Sequence, residues 1–341
     1  MRASPPNRGV TWIEVLVILV VIGGALAVLI PAIGSAREAG RYAWCNNRMK
    51  QIGLGVQNYA SSFGHLPSPG DVVASGDRKL VRGWSMFVKI LPYLEYGSIY
   101  DPLKKDGDPD DDDPNAKATR NQLIKELRCH SNTNRIWQKP ATNEDAVTNY
   151  KVMGATHLES LNQCLGVGKP LYGDPATHPD GAMFPGKEMQ FADIKDGTSH
   201  TICVVETMDD TASVWTRAAD TILVGLPTMG RGAVTFEKYD NRFFAPSGFN
   251  GQFDTEASAR VKAMRTFLGF NFRPGAADAG TYPAFGDSQP AYGPSSSHPK
   301  TVNHLFIDGS VKGLSKDIDP AAYMFMITRD NGDPFRPEPD R

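Results

Sequence analysis

The chain has no surplus of basic side chains: 36 Lys and Arg stand against 38 Asp and Glu, a formal net charge of −2. That balance removes the electrostatic footprint by which proteins hold nucleic acid. Cysteine is scarce, with only Cys45, Cys129, Cys164 and Cys203, and no two are spaced Cys-x-x-Cys. A local zinc ribbon or dithiol redox motif is therefore excluded, while the four cysteines still allow three disulfide pairings among which spacing does not choose. The phosphate-binding Gly-x-x-x-x-Gly-Lys-Ser/Thr loop, the Gly-x-Gly-x-x-Gly dinucleotide turn, the His-Glu-x-x-His zinc helix and the Gly-x-Ser-x-Gly nucleophile elbow are all missing. No charged side chain occurs from residue 15 to residue 33.

That uncharged run is the feature around which the rest is arranged. It is rich in Val, Leu and Ile, and at about 1.5 Å per helical residue it spans roughly 30 Å of hydrocarbon. One acid, Glu14, sits at its lip, where lipid makes an unpaired charge costly. Ahead of it lies a polar leader with Arg2, Arg8 and two prolines, ending at Gly9. A secretory signal is cut after its apolar region, so a Gly placed before the run does not fit that pattern. The arginines ahead of the span place the N-terminus in the cytoplasm and the body outside, where cysteines can oxidise.

The segment Gly9-Val10-Thr11-Trp12-Ile13-Glu14-Val15 resembles the processing site of type IV prepilins and type II secretion pseudopilins. The resemblance implies cleavage after Gly9 by a prepilin peptidase, methylation of the new N-terminus at Val10, and pairing of Glu14 with the amine of a neighbouring subunit. Such pairing satisfies a carboxylate that would otherwise be buried alone. Val10 departs from the Phe usual at that position, and Pro31 stands where these helices commonly carry a kinking proline. The competing reading is a plain anchor that is never cleaved.

Beyond the apolar run, Cys45, Met49, Ile52, Val56, Tyr59 and Phe63 recur at steps of four and three, an apolar stripe that packs on the protein's own core. One helix from about residue 11 to 62 would be roughly 75 Å long, ended by Gly64 with Pro67 and Pro69. Residues 84–100 read as an amphipathic segment broken at Pro92. The acidic stretch 104–115 offers Asp108, Asp110 and Asp112 as candidate oxygen ligands for Ca²⁺, without EF-hand spacing, against the simpler reading of a solvated loop. Residues 121–129 read as a short helix, and 255–267 as another. His157, His178 and Cys164 lack metal-ligand spacing and read as incidental. Asp196-Gly197 and Asp308-Gly309 each read as the turn of a hairpin, the first leading into a strand at 200–206 and the second joining 302–307 to 310–312. Residues 222–224 read as a further strand.

Several of these stretches, in order, resemble a large family of prepilin-anchored envelope proteins whose extracytoplasmic domain has no assigned function. They are Cys45 to Gly53, the triplet Thr148-Asn149-Tyr150, Ile194 to Thr201, and a C-terminal block in which His298 is followed by nine residues and then Asp308-Gly309. Lys300 and His200 depart from the residues common there, Gly and Asn.

The expected fold is α+β: a long N-terminal helix packed on an antiparallel β-sheet head with irregular insertions. The expected division is a leader (1–9), a pilin-like helix (10–63, membrane part 10–34), an extracytoplasmic head (64–330) and a polar tail (331–341). Three functions compete. The first is a structural, pilin-like subunit of the cytoplasmic membrane whose partners are the prepilin peptidase, other pilin-like subunits and the membrane. The second is a tethered module binding a solute, glycan or protein, for which Trp84, Trp137 and Trp215 are candidate contacts. The third is an enzyme, invited by Glu206, His298, His304 and Asp308 and by Ser295-Ser296-Ser297. His304 and Asp308, four residues apart, would share a strand face as a ligand pair or a polar edge. Lacking any ordered partner set, the chain is read as a non-enzyme without a resident cofactor.

Overall fold

The computed structural model describes residues 11–75, 78–132, 145–166, 179–209, 213–226, 237–239, 242–244, 294–315, 318 and 320–330. The expected helix at 255–267, the tail at 331–341, His178 and Trp137 lie outside them.

Helix α1 (Trp12–Phe63) runs unbroken for 52 residues, through Pro31. Its start is closed by a reciprocal cap. The Thr11 amide donates to Glu14 Oε2 at 2.8 Å, and the Glu14 amide donates to Thr11 Oγ1 at 3.4 Å, which satisfies donors that a helix start leaves without partners. Its end is set by Gly64 in the left-handed region (φ 79°), whose amide reaches the Ala60 carbonyl at 2.8 Å. The two halves of α1 meet different surroundings. From Trp12 to Ile33 the apolar side chains are exposed, whereas Cys45, Met49, Ile52, Val56 and Ala60 are buried. Tyr59 packs against the core as the stripe requires, but Phe63 at its end is exposed.

The head is built on a five-stranded sheet in the order β5-β3-β4-β8-β9. In chain order the strands are the hairpin β1 (Asp71–Ser75) and β2 (Arg78–Arg82), β3 (Tyr150–His157), β4 (Ile202–Glu206), β5 (Ile222–Leu226), the hairpin β6 (Glu237–Tyr239) and β7 (Arg242–Phe244), β8 (Thr301–Phe306) and β9 (Val311–Ser315). Pairing is antiparallel across β3–β4, β4–β8 and β8–β9, but β5 pairs parallel to β3, with Met153 opposite Leu223. The sheet is thus mixed rather than purely antiparallel. One face carries the core shared with α1, including Tyr150, Val152, Val204 and Leu305. The other carries Met153, Ile202, Val205, Val302 and Phe306 against Tyr323 and Ile327 of the C-terminal segment. Cover on both faces explains why β4 is buried at every position and reads as a continuous apolar run.

Close approach of α1 to the sheet and to the 3-10 turn at Leu91–Leu94 depends on small residues. A β carbon at Gly53 would lie 2.7 Å from Leu305 Cδ1, and one at Gly55 would lie 3.2 Å from Leu94 Cδ2. Two local expectations are corrected. The turn at Asp196-Gly197 follows a 3-10 turn (Phe191–Asp193) and leads into β4, so it closes no hairpin. The short helix expected over 121–129 is there a single 3-10 turn at Lys125–Leu127, and a separate α-helix stands upstream at Pro114–Arg120, where Asp113 caps its start and Pro114 stands in its first turn.

Gly181 bridges to Thr328, and a β carbon there would lie 2.3 Å from the Gly154 carbonyl oxygen. Backbone blocks that contact, so Gly181→Ala is expected to cost about 3 kcal/mol in urea unfolding with an unchanged m-value. Gly97→Ala, with nothing within 4 Å of the added carbon, should stay within about 0.5 kcal/mol of wild type.

Candidate functional site: the clasp between helix and head

The residues singled out by sequence converge on the seam where α1 meets the sheet. Cys45, on the buried stripe of α1, forms a disulfide with Cys129, which follows a 3-10 turn at Lys125–Leu127. The triplet Thr148-Asn149-Tyr150 holds both ends of this link. Thr148 Oγ1 donates to the Leu127 carbonyl at 3.2 Å, and Asn149 Oδ1 accepts the Cys129 amide at 3.0 Å. Tyr150 donates its hydroxyl to the Cys45 carbonyl at 3.3 Å. Cys164 and Cys203 remain thiols, and burial pushes the Cys164 thiol up to about 12 and raises that of Cys203 further. Thiols so disfavoured as thiolates are poor nucleophiles.

His298 closes the same seam from the C-terminal block. Its ring is buried, with Nδ1 2.8 Å from Glu38 Oε1 on α1 and an edge contact to Tyr42 at 5.1 Å between centroids. Nε2 faces inward, 3.7 Å from Cys129 Sγ and 3.8 Å from Glu206 Oε1. Asn303 Nδ2 donates to the other Glu206 oxygen, Oε2, at 3.1 Å. Burial pushes the Glu38 carboxyl up, but the hydrogen bond from His298 and the Arg41 guanidinium outweigh it and hold the group below its ordinary 4.5. Donor atoms of Cys45, Cys129, Glu206 and His298 all lie within 4.8 Å of one another, and all four residues are buried.

At the far end of the same motif, Gln57 of α1 donates Nε2 to the Ile307 carbonyl. The motif is therefore tied to α1 by polar contacts near both its ends, to Glu38 through His298 and to Gln57 through Ile307. Between these two contacts the strand covers only Thr301–Phe306, residues 297–300 being bends. The turn that follows needs Gly309, which adopts φ 85°, while Asp308 Oδ1 accepts the Ser310 amide at 2.8 Å. Asp308 also donates its amide to the Thr198 carbonyl at 3.0 Å, so the turn at Asp196-Gly197, where Gly197 has φ 97°, packs beside the turn at Asp308-Gly309.

Other candidates are placed elsewhere. His304 is buried on the opposite sheet face, with Nε2 2.9 Å from the Tyr323 hydroxyl, and burial pushes its pKa down to about 3. Asp308 stands in the exposed turn beyond the strand, so the two form no ligand pair. Ser295 Oγ accepts the Met208 amide at 2.8 Å, and Ser296 Oγ accepts that of His298 at 3.1 Å. The acidic loop is tied to cations and amides of the chain itself. Asp108 accepts the Gly83 and Asp110 amides, Asp110 pairs with Arg120 and Arg217, and Asp112 pairs with Lys117. Trp84 and Trp215 are core residues whose indole N–H groups donate to the Lys104 and Gln122 carbonyls. Sequence reasoning passed over Glu38 and Tyr42, whose signal is their place two turns and one turn, respectively, before Cys45 on α1.

Residues 34–321 match the family described as SBP_bac_10, Protein of unknown function (DUF1559), and the chain belongs to that family. No curated protein and no solved structure matches it. Helix α1, which begins ahead of the matched region and runs into it, is long and apolar enough to cross a membrane, and none of its most apolar window is buried among the described residues.

Acid should loosen the folded head in two windows. His304 takes a proton near 6.5 when unfolded but only near 3 when folded, so the unfolded chain binds more protons between those values and stability falls as pH drops through them. Glu38, depressed when folded, adds a loss below about 4.5, its contribution being complete only above that value. Urea midpoints followed from pH 7 to 3 should show His304→Asn flattening the upper window and Glu38→Gln the lower. Profiles identical to wild type would contradict both assignments.

Proposed function

We propose that this member of the family is a pilin-like structural subunit, anchored in the cytoplasmic membrane by the first half of α1 and assembling through that half with other pilin-like subunits. One observation carries the reading. A single helix is buried in its own head along one half, while its apolar other half has no cover among the described residues. Lipid covers such a surface in a monomer, and neighbouring helices cover it in an assembly; Gly23 and Gly24, with nothing within 4 Å of an added β carbon, leave room for a helix to come close.

The prepilin peptidase would cut after Gly9, freeing and methylating Val10, and the head would lie on the extracytoplasmic side. Glu14 in the isolated chain spends its carboxylate on capping the Thr11 amide and hydroxyl. In an assembly the same carboxylate would receive the amine of an adjacent subunit instead, a charge-assisted contact stronger than a neutral one. The protein acts by assembly and not by catalysis. Its destination is a filament or a secretion complex of the envelope.

Intact mass of the chain extracted from its native membrane should correspond to a start at methylated Val10. Glu14→Ala should abolish cross-links between α1 helices in membranes while the head keeps wild-type protease resistance. A chain still carrying residues 1–9, with cross-linking unchanged in Glu14→Ala, would reduce the protein to a simple anchor.

A further inference from the structure

The clasp contains more than a disulfide needs. A Cys45–Cys129 bond requires neither an imidazole nor a carboxylate beside it, yet His298 Nε2 and Glu206 Oε1 both face it inside the core. Each is held from behind. Glu38 receives His298 at Nδ1, which leaves the Nε2 lone pair directed at the sulfurs, and Asn303 holds the Glu206 oxygen that points away. A carboxylate behind a histidine is the arrangement that fixes the tautomer and raises the basicity of a metal-binding imidazole.

We propose that Cys45, Cys129, His298 and Glu206 form a tetrahedral site for one Zn²⁺ when the disulfide is reduced, so that a metal replaces the S–S bond as the cross-link between α1 and the head. The separations suit that ion. Zinc–sulfur bonds of about 2.3 Å and zinc–nitrogen or zinc–oxygen bonds of about 2.0–2.2 Å set ligand–ligand edges of roughly 3.3–3.8 Å in a tetrahedron. His298 Nε2 already lies 3.7 Å from Cys129 Sγ and 3.8 Å from Glu206 Oε1. The two sulfurs must part by rotation about their own side-chain bonds, and the remaining edges, all within 4.8 Å, must settle to the same lengths.

Opening the site takes two electrons. A dithiol reductant, of the class that exchanges disulfides outside the cytoplasm, passes two electrons and two protons to the Cys45–Cys129 bond and leaves as a disulfide. Zn²⁺ then displaces the two thiol protons to solvent and is held by two thiolates, a neutral imidazole and a carboxylate. In either state α1 stays fastened. Oxidation fastens it covalently, and metal fastens it when the cysteines are reduced.

The test uses the full chain in detergent micelles, reduced with a phosphine, desalted without air and titrated with Co²⁺ and then Zn²⁺. The reduced protein should take up one Co²⁺, with thiolate-to-metal charge transfer and the intense visible bands of tetrahedral cobalt, and Zn²⁺ should bleach both. The oxidised protein should show neither. Cys45→Ser should lose the signal, and His298→Ala and Glu206→Gln should weaken binding at least about 10-fold. Glu38→Gln, which keeps all four ligands, should weaken it about 10-fold through the imidazole alone. No stoichiometric binding by the reduced chain would overturn the proposal. So would unchanged affinity in Glu38→Gln and Glu206→Gln, since two thiols would then be binding metal without the site.

Discussion

Everything in this structure depends on how the outer half of α1 is fastened to the sheet. A 52-residue helix standing alone would be a poor mount for a head, because helices gain most of their stability in proteins from packing one face. Here that face is supplied by Cys45, Met49, Ile52, Val56 and Ala60, all buried against the sheet and its loops. The disulfide adds a constraint across a sequence separation of 84 residues, which in the chain-entropy account is about 4–5 kcal/mol taken from the unfolded state. Polar ties then fix register along the helix. Arg48 pairs with Glu126, which also accepts the Tyr96 hydroxyl at 2.7 Å, and Gln57 reaches the Ile307 carbonyl.

Buried polar groups cluster near this seam and on the sheet behind it. Lys151 and Asp209 pair at 2.6 Å with both side chains buried, and His298, Glu206 and Asn303 form a second group. Ion pairs out of water give little net stability, but removing one partner is expensive because the other charge stays buried. These groups therefore penalise alternative packings of the same sheet. A helix displaced by one turn would leave His298 without Glu38 and the Ile307 carbonyl without Gln57.

Much of this was legible in the chain itself. The apolar run, the stripe from Cys45 to Tyr59 and the stop at Gly64 fixed α1 to within a residue, because periodicity and caps are local signals. The hairpin at Asp308-Gly309 was legible for the same reason, as was the strand at 222–224. What was not legible is non-local. Asp196-Gly197 makes a turn wherever it occurs, and only the sheet shows that its flanks belong to a 3-10 turn and to β4. The parallel partner of β3, the choice of Cys129 over Cys164 and Cys203, and the meeting of His298 with Glu38 all join residues far apart in sequence. Thr148-Asn149-Tyr150 was recognisable as a motif, but its task of holding Cys129 and Cys45 became visible only in three dimensions.

The most direct test of the fastened helix is amide hydrogen exchange along α1 in the full chain, in micelles and under non-reducing conditions. If the seam is as described, amides from Met49 to Ala60 exchange only with global unfolding, at the rate of the most protected amides of β4 and β8. Exchange there at the rate of an undocked helix, with β4 and β8 still protected, would show that the head does not hold α1 and would contradict the account.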